Sequence, residues 1–342
     1  MALLTGRQRQ LERLRGFGDM ARRHSGLPRP VAKQLSKSGL LLQLESVDRS
    51  EDSRKRVLAM ENHFRRKIDS HITSLPEGDA QFQKFSTSPY VLLIHARNKN
   101  YTKISEIEND ILPAKQFSSM ETSAGRMVEE VALPAYGWEC VASEMHTSNS
   151  ALDGRKAEPR LLRLATLKSG PRCLNDEMSE NFADAILSHY RAWSAEARRA
   201  EIEFTYGVLY GTPKVSNKKD WHILRNIKEK RARALTVDPD GRWNCAFQEN
   251  GISVGVTVRI GLDWWEHLGG PNCFLEVFSA LIRACISPGA ADPGTHQYLI
   301  ADLYDIVSTV SVSSDYNVSL LQRSQLPWLF LIARHFCDEL VE

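Results

Sequence analysis

The chain has 342 residues and a mass of 38.7 kDa, with 42% hydrophobic and 25% charged residues, proportions that suit one large globular domain or a core with an appendage. No apolar run approaches the roughly 18 residues of a membrane helix, the amino terminus lacks a signal-peptide pattern, and the six cysteines never reach C-x-x-C spacing. The membrane, secreted and zinc-finger classes are thereby excluded, and a cytoplasmic protein with reduced thiols is expected. The net charge of +2 is unevenly laid out: residues 1–70 hold 16 Lys and Arg against 8 Asp and Glu, and the remainder 28 against 34.

Residues 1–75 read as a basic helical arm, with a helix from Arg7 to Phe17, a loop at Gly26-Leu-Pro-Arg-Pro30 and a charged helix from Ser50 to Ile72. Val57, Met60, Phe64 and Ile68 stand three and four residues apart along the last of these. Leu75-Pro-Glu-Gly-Asp79 marks a boundary, and residues 76–287 form the predicted core. Its first part is mostly helical and ends in a helix from Ser123 to Pro134, with Ala124, Met127, Val128, Val131 and Ala132 as the apolar stripe. Glu129 and Glu130 both lie about 130° from the centre of that stripe, so periodicity leaves open which of them faces a site.

Strands are predicted over Tyr136–Met145 and Leu161–Leu167, with Asp153-Gly154 between them. A helix follows, capped by Asn175 or Asp176, with Met178, Phe182, Ile186, Tyr190 and Trp193 as its apolar stripe. Phe204–Tyr210 and Ile252–Ile260 are further strands, the second alternating at period two. Between them Lys214 to Arg233 carries eight basic residues, a second cluster suited to a polyanion or to a solvated helix face. A helix over Leu262–Cys285, broken at Gly269-Gly270-Pro271, completes the core, and residues 288–342 form a mixed carboxyl-terminal segment. This order predicts an α/β chain, mixed α+β in detail, with a central mixed sheet flanked by helices.

The chemistry concentrates in Asp153-Gly-Arg-Lys-Ala-Glu-Pro-Arg-Leu-Leu-Arg-Leu-Ala-Thr166-Leu167-Lys168. An acid near one strand end, then an apolar strand closing on x-x-Lys, resembles the motif of the PD-(D/E)XK nucleases. Read together with Gly125-Arg-Met-Val-Glu-Glu130, Leu133-Pro134, Gly207-Val-Leu-Tyr-Gly211, Ile223-Leu-Arg225-Asn-Ile227 and Trp265, it is similar to type II restriction endonucleases that cut interrupted palindromes of the GGNCC kind. The likeness covers roughly residues 86–286.

The resemblance implies a restriction-endonuclease-like core and a homodimer that cleaves double-stranded DNA with Mg²⁺ to leave 5′-phosphate ends. It also implies a DNA methyltransferase encoded nearby to protect the host. In that reading Asp153 holds Mg²⁺ and Lys168 assists the attacking water. Thr166 occupies the position where the family has a second acid, and a neutral threonine cannot replace a carboxylate. Glu130 is the first candidate to supply the missing charge from the neighbouring helix, ahead of Glu177, Glu180 and Glu144, and the carbonyl of Leu167 is a further metal ligand. Arg225 is the candidate base reader, because arginine pairs with guanine O6 and N7. Lys218, Lys219, Lys228 and Arg172 are candidate phosphate contacts.

The same residues admit blander roles. Asp153-Gly154 is also an ordinary turn dipeptide, and Lys168 a solvated strand end. A DNA-binding protein that keeps the nuclease architecture without cutting is the principal alternative, and an α/β enzyme for a small substrate a third.

Overall fold

The computed structural model describes residues 29–75, 88–142, 151–231, 235–237, 243–289, 306–307 and 316–337. The predicted helix at Arg7–Phe17 lies outside them. Nine α-helices are present among the described residues, namely α1 (Arg29–Arg49), α2 (Glu51–Thr73), α3 (Pro89–Lys99), α4 (Glu108–Ala135), α5 (Asp176–Ala197), α6 (Lys219–Arg231), α7 (Leu262–Gly269), α8 (Cys273–Cys285) and α9 (Leu326–Leu331). The strands are β1 (Glu139–Cys140), β2 (Gly154–Ala157), β3 (Leu161–Lys168), β4 (Glu201–Val208), β5 (Leu235–Val237), β6 (Trp243–Glu249) and β7 (Ile252–Ile260). None of the described helices is long and apolar enough to cross a membrane.

The strands form one mixed sheet in the order β1-β2-β3-β4-β7-β6-β5. Both outer pairs are antiparallel hairpins, while β3, β4 and β7 run parallel at the centre. The parallel step from β3 to β4 requires a crossover, and α5 supplies it. Asn175 caps α5, its side chain accepting from the N–H of Met178 at 2.7 Å. Ile186, Tyr190 and Trp193 of α5 are buried, with Met178 and Phe182 packed at the edge of the same cluster.

Strand alternation sorts the core into two layers. Leu162, Leu164, Phe204, Tyr206, Val254 and Val256 face α5 and the buried Ile223, Leu224 and Ile227 of α6. Ala165 and Leu167 belong to the other layer, with Leu133, Trp138, Trp264 and Trp265. The amino-terminal helices join that layer. Val57, Met60 and Phe64 are buried in one cluster with Val277 and Ala280 of α8, so this basic segment is packed into the core from Leu40 onward. Arg56 forks onto Glu276 of α8 at 2.7 and 2.8 Å, and the hydroxyl of Tyr136 donates to the same carboxylate at 2.6 Å.

Several elements depart from the sequence reading. The helix expected from Ser123 begins at Glu108 and runs through Pro113, and Ala124 of its expected stripe is exposed. Of the strand expected over Tyr136–Met145, the described residues form only Glu139–Cys140, because the helix continues to Ala135 and Gly137 turns the chain at φ 74°; residues 143–145 lie outside the described residues. The basic stretch after Lys214 contains a helix, and β5 and β6 are additional strands.

Candidate active site

The carboxyl-terminal end of β3 is where three elements meet. Asp153 stands just before β2, where its backbone N–H donates to the carbonyl of Ala165 at 2.9 Å and extends the hairpin ladder by one residue. Its Oδ2 accepts from the N–H of Leu167 at 2.7 Å, which fixes the carboxylate beside the strand end. Along a strand, the N–H and C=O of one residue point to the same side and the side alternates residue by residue. The carbonyl of Lys168 points toward β4, accepting from Leu209 at 2.9 Å. The carbonyl of Leu167 therefore points the other way, to the side on which Asp153 stands.

Thr166 is 2% exposed, and its hydroxyl donates to the carbonyl of Ala151. That bond steadies the segment leading to Asp153 and engages the hydroxyl of Thr166, the residue at the family's second-acid position in the catalytic motif. Lys168 follows on the same face of the strand, half-buried, with its ammonium 5.7 Å above the ring of Phe182. The Phe182 ring packs edge-on against Tyr206 at 5.8 Å. Among the described residues Lys168 makes no ion pair within 4 Å, so its charge remains available to a ligand.

The helix α4 brings an acid from the opposite layer, and it is Glu129. Two glycines allow the close approach. A Cβ on Gly125 would lie 3.1 Å from that of Ser169, and one on Gly154 would lie 3.0 Å from a methyl of Leu133. Gly125, Glu129 and Leu133 are each four residues apart, so Glu129 sits on the helix face that meets the sheet, midway between the two contacts. Burial and the nearby charge of Asp153 push its carboxyl up to about 8, while the ammonium of Lys168 pulls it back. Glu129 therefore feels both motif residues.

Glu130 turns elsewhere. Lys67 of α2 donates to one of its oxygens and Arg126 to the other at 2.9 Å, and these bonds, Lys67 first, hold its carboxyl below the usual range. Glu130, the acid expected from sequence, is thus engaged by Lys67 and Arg126, and Glu129 is the α4 acid that responds to Asp153 and Lys168. Glu180 faces Lys230 at 3.4 Å, Glu177 is exposed on the first turn of α5, and Glu144 lies outside the described residues. The signal for Glu129 was present in sequence as the i, i+4, i+8 spacing from Gly125 to Leu133, which a purely apolar stripe overlooks.

Among the described residues no three His, Cys, Asp or Glu side chains cluster as a metal cage. Mg²⁺ does not require one, since it binds through one or two carboxylates and keeps several waters. Asp153, Glu129 and the Leu167 carbonyl are oxygen donors of the right hardness. Glu129 is raised by burial first and by the charge of Asp153 second, and a divalent cation beside it would offset that charge.

The basic candidates prove largely engaged within the chain. Lys219 pairs with Asp176 at 2.6 Å, Arg225 with Glu229 at 3.5 Å, and Lys230 with Asp184 at 2.5 Å. Lys218 donates to the carbonyl of Pro213 and lies 5.6 Å from the Trp243 ring, and Arg172 donates to the carbonyl of Val215 at 3.0 Å. Arg172, Lys218 and Lys219 nevertheless share the sheet end of Lys168, because Asn217 ties its loop to Pro171 and Leu174. Lys228 is exposed at the far end of α6 and has no ion pair among the described residues. Arg225 lies within α6 and is exposed.

No family model matches the sequence, and no curated protein matches it either.

Proposed function

We propose that the protein is a Mg²⁺-dependent endonuclease of the type II restriction kind that hydrolyses double-stranded DNA. The observation that carries this reading is the convergence at one strand end of Asp153, held by the Leu167 N–H, with Glu129 and Lys168 in mutual electrostatic reach. The element order supports it: a helix, three antiparallel strands, a crossover helix and a parallel strand run from α4 to β4, and the resembled nucleases are built on such a core. The basic loops at the same sheet end offer phosphate contacts.

In this reading Asp153, Glu129 and the Leu167 carbonyl hold the cation. When bound, Mg²⁺ supplies a Lewis acid for the phosphate and lowers the pKa of water beside it. Glu129 releases its proton to solvent as the second carboxylate of the pair. Lys168 directs its ammonium at the attacking water and offsets charge that builds on the phosphate oxygens. Water loses a proton to solvent and attacks phosphorus in line, the bond from phosphorus to the 3′ oxygen breaks and that oxygen takes a proton from solvent, which yields 5′-phosphate and 3′-hydroxyl ends. Two copies related by a two-fold axis would cut both strands of a palindrome. An adjacent methyltransferase would protect host DNA.

Incubating the purified chain with phage DNA and Mg²⁺ should give discrete fragments. Asp153→Ala and Lys168→Ala should retain DNA in gel-shift assays yet lose cleavage by about 10²-fold or more. A fully active Lys168→Ala would sink the proposal. One observation favours the rival DNA-binding reading: Thr166 stands where the family carries an acid, and its hydroxyl is committed to Ala151. DNA that is retarded and stays intact with Mg²⁺ would select that reading.

A further inference from the structure

Just past the strand end that carries Lys168, an aromatic pair stands out of the packed core. Tyr210 lies two residues beyond Val208, the ladder partner of Lys168, and is 39% exposed. Phe336, from the carboxyl-terminal segment, is 43% exposed and meets Tyr210 edge-on, with ring centroids 5.7 Å apart. Backbone holds the two together, since the N–H of Gly211 donates to the carbonyl of Phe336. Ala333 and Cys337 are buried in the core, which anchors the segment while Phe336 stays out. The turn Ile332–Phe336 is π-helical, and the N–H of Cys337 reaches back to the carbonyl of Ile332 at 3.2 Å. Such wide turns are rare and recur at functional sites. On the other side, a Cβ on Gly170 would lie 2.7 Å from the Tyr210 hydroxyl, so the ring end stands against backbone two residues after Lys168. Two residues of chain span at most about 7 Å.

The surroundings are of one sign. Residues 168–175, 209–219 and 325–337 hold Lys168, Arg172, Lys214, Lys218, Lys219 and Arg334 and no aspartate or glutamate. Arg172, Lys214 and Lys218 are exposed. Exposed rings inside a basic border match a nucleic-acid strand, whose phosphates meet the cations while a base stacks on a ring. An apolar protein surface would leave these charges without counterparts. We propose that Tyr210 and Phe336 form a stacking platform for one nucleobase drawn out of the duplex beside the phosphate at Lys168. This rests on the reading of the chain as a DNA-cleaving enzyme and adds that the duplex is opened next to the cut. Bases inside a duplex already stack on their neighbours, so the platform acts on a base that has left the stack and offsets the cost of extruding it.

A single-stranded oligothymidylate in which every second base is 2-aminopurine tests the platform, with the full chain and without Mg²⁺. Its fluorescence should fall severalfold on binding, because stacking on an aromatic ring quenches it. Tyr210→Leu and, separately, Phe336→Leu should leave the fluorescence high at saturation and weaken binding about 10-fold. Their salt slope should stay that of wild type, because the phosphate contacts are kept. Tyr210→Phe should quench as wild type does. Wild type that binds the strand without quenching, or that binds no strand at all, would overturn the inference. Leucine variants that quench as fully as wild type would overturn it as well. A wild type that cuts duplex DNA with Mg²⁺ and fails here loses only the platform, and one that quenches here without cutting loses only the nuclease reading.

Discussion

Glu129 and Glu130 are neighbours in sequence, and the ~100° rotation per helical residue sends them to different partners. Glu130 joins Lys67 and Arg126 in an ion-paired cluster, while Glu129 enters the space beside Asp153. Glu129→Gln should therefore abolish Mg²⁺-dependent cleavage, and Glu130→Gln should leave turnover within a few-fold of wild type; equal loss in both would contradict the assignment. The raised pKa of Glu129 also makes a statement about stability. Its folded carboxyl holds a proton up to about 8, against an ordinary value of 4.5. The contribution is complete below the ordinary value and is lost as pH rises through the folded one. Without metal, Glu129→Gln should match wild type near pH 5 and exceed it near pH 9 by about 1–2 kcal/mol, after allowance for solvent screening. Mg²⁺ should raise the melting temperature of wild type near pH 9 and leave that of the variant unmoved. A melting offset independent of pH would remove Glu129 from the cation site.

At the level of elements, two glycines set how closely layers approach the site. A Cβ on Gly207 would fall 2.6 Å from Trp264 and 2.7 Å from Leu167, so Gly207→Ala should destabilise the chain by about 1–3 kcal/mol in denaturant unfolding. At Gly125 the 3.1 Å contact is milder, and Gly125→Ala should instead displace Glu129 and weaken Mg²⁺ binding more than it lowers stability. Elements with a strong local signal were legible in the sequence. The period-two run Ile252–Ile260 forms β7 over those residues, the Asn175 cap opens α5, and the break at Gly269-Gly270-Pro271 separates α7 from α8. Elements with a weak signal were missed. In β6 only Cys245 and Phe247 point inward, and in α6 the apolar trio Ile223, Leu224 and Ile227 is outnumbered by charges. Periodicity leaves Glu129 undecided against Glu130 for a different reason: its neighbours at four-residue spacing are Gly125 and Leu133, which lie outside the apolar stripe that marks the helix face.

Over the whole molecule, the charge that sequence counting assigns to a polyanion is partly neutralised within the chain. Lys219, Lys230 and Arg231 face Asp176, Asp184 and Glu249, whereas Lys228 faces solvent. Lys228→Ala should weaken binding to all DNA sequences and lower the salt slope by about one, and Lys219→Ala should change the slope little. Titrating both variants against duplex DNA at several salt concentrations distinguishes these outcomes. The packing of α2 on α8 has a consequence of another kind. Val57, Met60 and Phe64 find their apolar neighbours in Val277 and Ala280, and Arg56 its counter-charge in Glu276, about 200 positions later in the chain. While a ribosome is still translating the middle of the message, the early helix has α1 beside it and lacks the late mate that covers much of its greasy side. A nascent polypeptide halted before that late helix emerges would be a client for chaperones and not a finished fold.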